Sequence, residues 1–153
     1  MLIYDVLKQY ENEKIKIYVD MDGCIADYEV GIPKDYDVKR PLITNLSKLE
    51  KINQMPNIQL YILSVTRMNK GIEEKNKWLD QFAPFFKKEN RNILSRENYN
   101  FEKDSPTLKY EFIKKIKRDN SKIIIIDDDP EILKRIRKGF DDVILLKDTT
   151  LVV

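Results

Sequence analysis

Aspartates gather at two points of this chain in a pattern that suits cation and phosphate chemistry. Asp20 and Asp22 lie in IYVDMDG (17–23), and Asp127, Asp128 and Asp129 lie in IIIIDDDP (123–130). Each cluster follows an apolar run, as residues at the end of a strand do. Ser64 ends a third such run, LYILS (60–64). Taken singly, acidic clusters of this kind are turn and cap residues. Taken together at one sheet edge, the carboxylates would repel one another unless a cation held them. Hard oxygen ligands without His or Cys select Mg²⁺.

A magnesium ion beside a carboxylate suits phosphoryl transfer. It screens the phosphate so that an anionic Asp can attack, and it neutralises charge developing in the transition state. Asp20, the last strand residue, is the natural nucleophile. Asp22, past one turn, can act on the leaving oxygen as general acid and then on water as base. The chain has 0 His, which excludes Ser/His and Cys/His nucleophile pairs, histidine phosphatases, His-ligated zinc and any His base. Lys109 is a separate clue. With Ser105 as N-cap and Pro106 at the first helical position, Lys109 falls in the first turn, where the helix dipole disfavours a cation. A phosphate and the nucleophile are the compensating anions; the alternative is an ordinary surface lysine. Cys24 lacks a CxxxxxR phosphate loop and reads as a packing residue.

These residues need elements to position them. KIKIYVD (14–20), IQLYILS (58–64), the unbroken apolar run at 122–126 and DDVILLK (141–147) read as strands, with NIL (92–94) as a short further candidate. Helices are expected at 2–10, over 42–55, along Ile72, Lys75, Trp78, Leu79 and Phe82, after Ser105, and from an Asp129 cap with Pro130 to about Gly139, read as the glycine past the helix end. Residues 24–41, with Gly31, Pro33 and Pro41, read as a turn-rich flap too small for a cap domain. The 153 residues suit one domain. Strands alternating with helices imply an α/β fold, a doubly wound parallel sheet with helices on both faces. One cysteine, no signal sequence and no apolar run near the ~20 residues a bilayer needs point to a cytoplasmic protein without a membrane partner.

The series IYVDMDGCIADY, LYILS, Lys109 and IIIIDDD, in that order over about residues 14–147, resembles the four motifs of the haloacid dehalogenase-like phosphatases. The resemblance implies a Rossmann-like core and an Mg²⁺-dependent phosphomonoesterase. Asp20 would form an aspartyl-phosphate, with Asp22 as acid/base. Ser64 would hydrogen-bond the phosphoryl group, and Lys109 would pair with it and with Asp20. Gly23 would lie against the substrate. Asp20, Asp127 and the Asp22 carbonyl would hold Mg²⁺, with Asp128 assisting directly or through water. Thr66 competes for the hydroxyl role; Ser64 is preferred because it directly ends the apolar run.

The short flap implies an open site, which the family resemblance associates with large substrates. SVTRMNK, the Trp78 helix and the helix bearing Lys109 are similar to the 3′-phosphatase domain of phage-type polynucleotide kinase-phosphatases, where Arg67 would contact substrate phosphate. DMDGCIADY also resembles the motif of 5′(3′)-deoxyribonucleotidases, which act on small nucleotides. The favoured partner is therefore a phosphorylated nucleotide or a single-stranded nucleic-acid end, with phosphoproteins and small metabolites as alternatives. Lys87, Lys88, Arg91 and Arg96, interleaved with Phe85, Phe86, Tyr99 and Phe101, could track such a strand, or form a solvated face over core aromatics. The near balance of 28 basic and 26 acidic residues argues against non-specific attraction to nucleic acid. No GxxxxGK[ST] kinase loop occurs in these residues. A receiver-type phospho-acceptor is disfavoured, because receivers place the lysine after both the acceptor Asp and the hydroxyl, on a later strand, whereas here Lys109 precedes the Asp127 cluster. A binding module that keeps the fold without turnover is the other non-enzyme reading.

Overall fold

The computed structural model describes residues 2–28, 35–116 and 119–152. Five strands form, β1 (Ile15–Val19), β2 (Ile58–Thr66), β3 (Arg91–Ser95), β4 (Lys122–Asp127) and β5 (Val143–Lys147). All are parallel, in the order β3-β2-β1-β4-β5. Parallel neighbours need crossovers. The helices are α1 (Ile3–Gln9), α2 (Ile43–Asn53), α3 (Lys70–Phe82), α4 (Arg96–Tyr99), α5 (Ser105–Lys115) and α6 (Pro130–Gly139). This is the doubly wound α/β fold expected from the alternation of strand and helix patterns.

The unbroken isoleucines of β4 show why both faces are covered. Successive side chains of a strand point to opposite faces. Ile124 and Ile126 join one core cluster with Ile3, Leu49, Trp78 and Leu79, from α1, α2 and α3. Ile123 and Ile125 join the other with Leu108, Ile113, Ile132 and Ile136, from α5 and α6. The chain steps outward from β1 to β3, then returns to place β4 on the far side of β1. Such a reversal opens a crevice beyond the carboxyl ends of the two central strands. The register sets Val19 opposite Ile126, so both strands end level at that crevice.

Three boundaries differ from expectation. Strand β2 runs on to Thr66, because Ile62–Thr66 pairs with all of β3; Ser64 lies inside the strand and does not end it. Helix α5 starts one residue early. Asp104 accepts a hydrogen bond from the Thr107 N–H at 2.9 Å, which makes Asp104 the N-cap and Ser105 the first helical residue. Lys109 is then the fifth helical residue, beyond the first turn, so the dipole argument for its charge falls away. Gly139 is the last residue of α6 and not the one past it. A Cβ there would stand 2.3 Å from Tyr110 Cε2, so glycine admits the close approach of α5. The expected Asp129 cap is present, accepting from the Glu131 N–H at 2.9 Å with Pro130 following.

Residues Tyr36–Val38 form a 3₁₀ turn in the expected flap; Gly31 and Pro33 lie outside the described residues. No helix among the described residues is long and apolar enough to cross a membrane.

The two-sided burial of β4 has a measurable consequence. Replacing Ile124→Ala should cost about 2–5 kcal/mol in urea unfolding. Lys147→Ala, at the exposed end of β5, should change stability by less than about 0.5 kcal/mol.

Candidate functional site

The level ends of β1 and β4 bring the two aspartate clusters together, and α5 supplies the charge between them. Lys109 Nζ donates to Asp20 Oδ1 at 2.9 Å and to Asp127 Oδ2 at 2.6 Å. The lysine is 2% exposed, far from a surface residue. Asp127 Oδ1 accepts from the Asp129 N–H at 3.0 Å, so both its oxygens are fixed. Burial works to lower the pKa of Lys109, but Asp20 and Asp127 outweigh it and hold the ammonium above the ordinary lysine value.

A second ammonium-centred group lies beside the first. Lys75, on α3 and 4% exposed, donates from Nζ to Ser64 Oγ at 2.6 Å, to the Val65 carbonyl at 3.0 Å and to Asp22 Oδ2 at 3.3 Å. Asp22 Oδ1 accepts from the Tyr36 hydroxyl at 2.8 Å and also from Lys39 Nζ. Burial alone would raise the pKa of Asp22, but the Lys75 charge, Lys39 and the Tyr36 hydroxyl keep it below the usual carboxylate value. Burial pulls Lys75 below the ordinary lysine value, against the raising effect of Asp22 and Asp20.

Asp20, Asp22, Lys109, Asp127 and Asp128 line a cleft of about 400 Å³, which Tyr28 and Ser105 also border. The turn into it depends on Gly23, whose φ is +82°. A Cβ at Gly23 would meet Asp128 Oδ2 at 2.0 Å, so the backbone passes flush against that carboxyl. Asn45, buried on α2, braces the same loop by donating to the Cys24 carbonyl at 2.8 Å. Ser64 joins the site through Lys75 and is itself buried. Arg67 is exposed on the loop beyond β2, outside the cleft lining.

The donor set fits a hard divalent cation. Ligand atoms of Asp20, Cys24 and Asp128 lie within 4.8 Å of one another. The Cys24 thiol points to the Ile126 carbonyl, and burial, with the neighbouring Asp20, Asp127 and Asp128, raises its pKa well above the ordinary thiol value. That leaves carboxylate oxygens as donors. Burial and the Asp20 charge push the Asp127 pKa up to about 6 despite Lys109. The same two causes, joined by Asp127, push Asp128 up to about 8. Carboxyl groups that retain protons at such pH values are short of positive charge, which a cation would supply.

Sequence reasoning missed Lys75, Lys39 and Tyr36 as site residues. The signal for Lys75 was its place among Ile72, Trp78, Leu79 and Phe82, a lysine on an apolar helix face. Nothing in the local sequence marks Tyr36 and Lys39, which reach Asp22 because the flap is fastened to α3. Trp78 Nε1 donates to the Lys39 carbonyl at 3.0 Å, and the Trp78 ring meets Tyr36 edge-on at 6.0 Å. The basic stretch reads differently in three dimensions. Arg91 donates to the Phe86 carbonyl, Asn76 and Asp80, and Arg96 to the carbonyls of Phe101 and Lys103. Both are fold residues, and Phe86 is core, whereas Tyr99 and Phe101 remain exposed.

No protein-family model and no curated protein sequence matches this chain. The fold is similar to a chain in the structure of a Pnkp1/Rnl/Hen1 complex, with TM-score 0.65 and 16% identity over 88% of this chain and 46% of that one. It is also similar to a chain in the Pnkp1/Rnl/Hen1 RNA repair complex, with TM-score 0.66 and 14% identity over 89% of this chain and 43% of that one. The chain thus spans less than half the length of these neighbours.

Two outcomes follow for the acidic half. In a chelating buffer, stability should decline as pH rises from about 4 to about 8. Asp127 and Asp128 hold protons in the folded chain that the unfolded chain releases near 3.8. Thermal melts with a divalent cation should show a shallower decline, because the cation replaces those protons. Gly23→Ala should cost more than about 1 kcal/mol through its positive φ, and should also diminish the cation-induced rise in Tm by displacing Asp128.

Proposed function

We propose that this protein is an Mg²⁺-dependent phosphomonoester hydrolase of the haloacid dehalogenase-like type, with Asp20 as the nucleophile. The observation that carries this reading is Lys109, a buried ammonium joining Asp20 to Asp127 at the ends of adjacent strands. With Oδ1 of Asp20 on Lys109, its second oxygen, beside Asp128, would attack phosphorus. The new P–O bond forms as the ester P–O bond breaks, giving an aspartyl-phosphate and an alcohol. In its protonated form Asp22 gives that proton to the leaving oxygen and becomes the carboxylate. It then takes one from water, which attacks the phosphoryl group, breaks the bond to Asp20 and releases phosphate. The ionised form of Asp22, favoured by its lysines, is the form the water step requires. Asp20, Asp127, Asp128 and the Asp22 carbonyl would hold the cation, which supplies charge neutralisation at the phosphoryl oxygens. Ser64, held by Lys75, would hydrogen-bond the same phosphate.

The favoured substrates are phosphorylated nucleic-acid ends. The fold likeness to a chain of an RNA repair complex supports this class over phosphoproteins and metabolites. With Arg91 and Arg96 occupied in the fold, Lys87, Lys88, Tyr99 and Phe101 are what remains of the expected track.

Hydrolysis of an aryl phosphate and of a 3′-phosphorylated oligonucleotide tests the reading. Activity should require Mg²⁺ and fall at least about 10³-fold in Asp20→Asn. Turnover in a chelator, or full activity in Asp20→Asn, would sink the mechanism.

A further inference from the structure

The ammonium groups on Asp22 are not equivalent. An ammonium has three donors. Lys75 has three acceptors, in Ser64, Val65 and Asp22, and is 4% exposed, so it is saturated within the floor of the site. Lys39 reaches the same carboxyl from the flap side. Among the described residues, Asp22 is the one hydrogen-bond acceptor of its Nζ. The rest of its surroundings are aromatic, with Nζ 4.6 Å from the Tyr36 ring centre and 5.6 Å from that of Tyr28, which is half exposed and lines the cleft. Its backbone is pinned by Trp78 through the Lys39 carbonyl. The result is a pre-positioned ammonium, its side chain 11% exposed, that touches the cleft through Asp22 and Tyr28 and has donors that no described residue accepts.

We propose that Lys39 binds a second phosphate of the substrate, on the leaving-group side and next to the phosphate that is hydrolysed. This rests on the hydrolase reading above and narrows it. An anion at Lys39 must lie close to Asp22, hence close to the ester oxygen that departs. An adjoining phosphate of a nucleotide meets that condition, and an isolated phosphomonoester has nothing to place there. The same chemistry is offered by the 5′-phosphate of a nucleoside 3′,5′-bisphosphate and by the internucleotide phosphate of a 3′-phosphorylated dinucleotide. Fixing Lys39 between two rings before the substrate arrives lowers the ordering cost of that contact.

The test compares kcat/KM for a nucleoside 3′,5′-bisphosphate, a 3′-phosphorylated dinucleotide and the matching nucleoside 3′-monophosphate, in wild type, Lys39→Met and Lys39→Arg. Thermal melts verify that each variant is folded. The ratio of two-phosphate to one-phosphate substrates should fall at least tenfold in Lys39→Met, mainly through KM, and should be largely restored in Lys39→Arg. A drop confined to the bisphosphate identifies a terminal phosphate as the ligand, and a drop confined to the dinucleotide identifies the phosphodiester. Equal losses on all three substrates overturn the proposal, since Lys39 would then act only by orienting Asp22. Wild-type protein that hydrolyses none of them is a different result: it removes the hydrolase reading, and this inference with it.

Discussion

The buried ammonium of Lys109 is the constraint on which the rest of the structure turns. Two carboxylates at the ends of the central strands would otherwise face each other at low dielectric, and removing the partner of a buried charge costs about 3–5 kcal/mol. Lys109 comes from α5, Asp20 from just beyond β1 and Asp127 from β4, so one nitrogen requires three elements to arrive in register. The sheet and the site are therefore one assembly. The level ends of β1 and β4 follow from isoleucine and valine packing, yet the same register sets the spacing that a single ammonium can bridge.

Around that point the charges divide. Asp20 and Asp127 share Lys109, with Asp128 beside them, and burial together with the neighbouring negative charge holds protons on Asp127 and Asp128 well above their usual range. Asp22 has the opposite surroundings, with Lys39 and Lys75 on its two oxygens. A phosphate ester and a divalent cation differ in sign in the same way. A cleft that is anionic on one flank and cationic on the other orients such a pair before any bond changes.

Much of this was legible from the chain because strand ends announce themselves. Four isoleucines followed by three aspartates cannot continue a covered strand, so the position of Asp127 at the sheet edge follows from the solubility of its neighbours. Asp129 was readable as a cap because Pro130 follows it. What was not legible depends on pairing between distant segments. The extension of β2 to Thr66 is imposed by β3, and nothing within LYILSVT marks it. The start of α5 turned on which of two adjacent cap-forming residues, Asp104 or Ser105, accepts from the helix. The arginines of the basic stretch were not readable because their acceptors, the Phe86 carbonyl after α3 for Arg91 and the Phe101 and Lys103 carbonyls after α4 for Arg96, are brought to them only by the folded turns.

The two aspartates of the DMDG turn show how environment separates residues of one type. They lie two positions apart and border one cleft, yet Asp20 faces Lys109 and the acidic flank, whereas Asp22 faces Tyr36, Lys39 and Lys75. Different partners give like side chains different chemistry. On the proposed hydrolase reading the two are therefore not exchangeable. A nucleophile placed at Asp22 would be tied through both oxygens, and an acid/base placed at Asp20 would lie on the flank suited to the cation. Gly23, with its positive φ, then turns the chain flush against Asp128, so the loop that carries Asp22 stays packed on the acidic flank that holds Asp20.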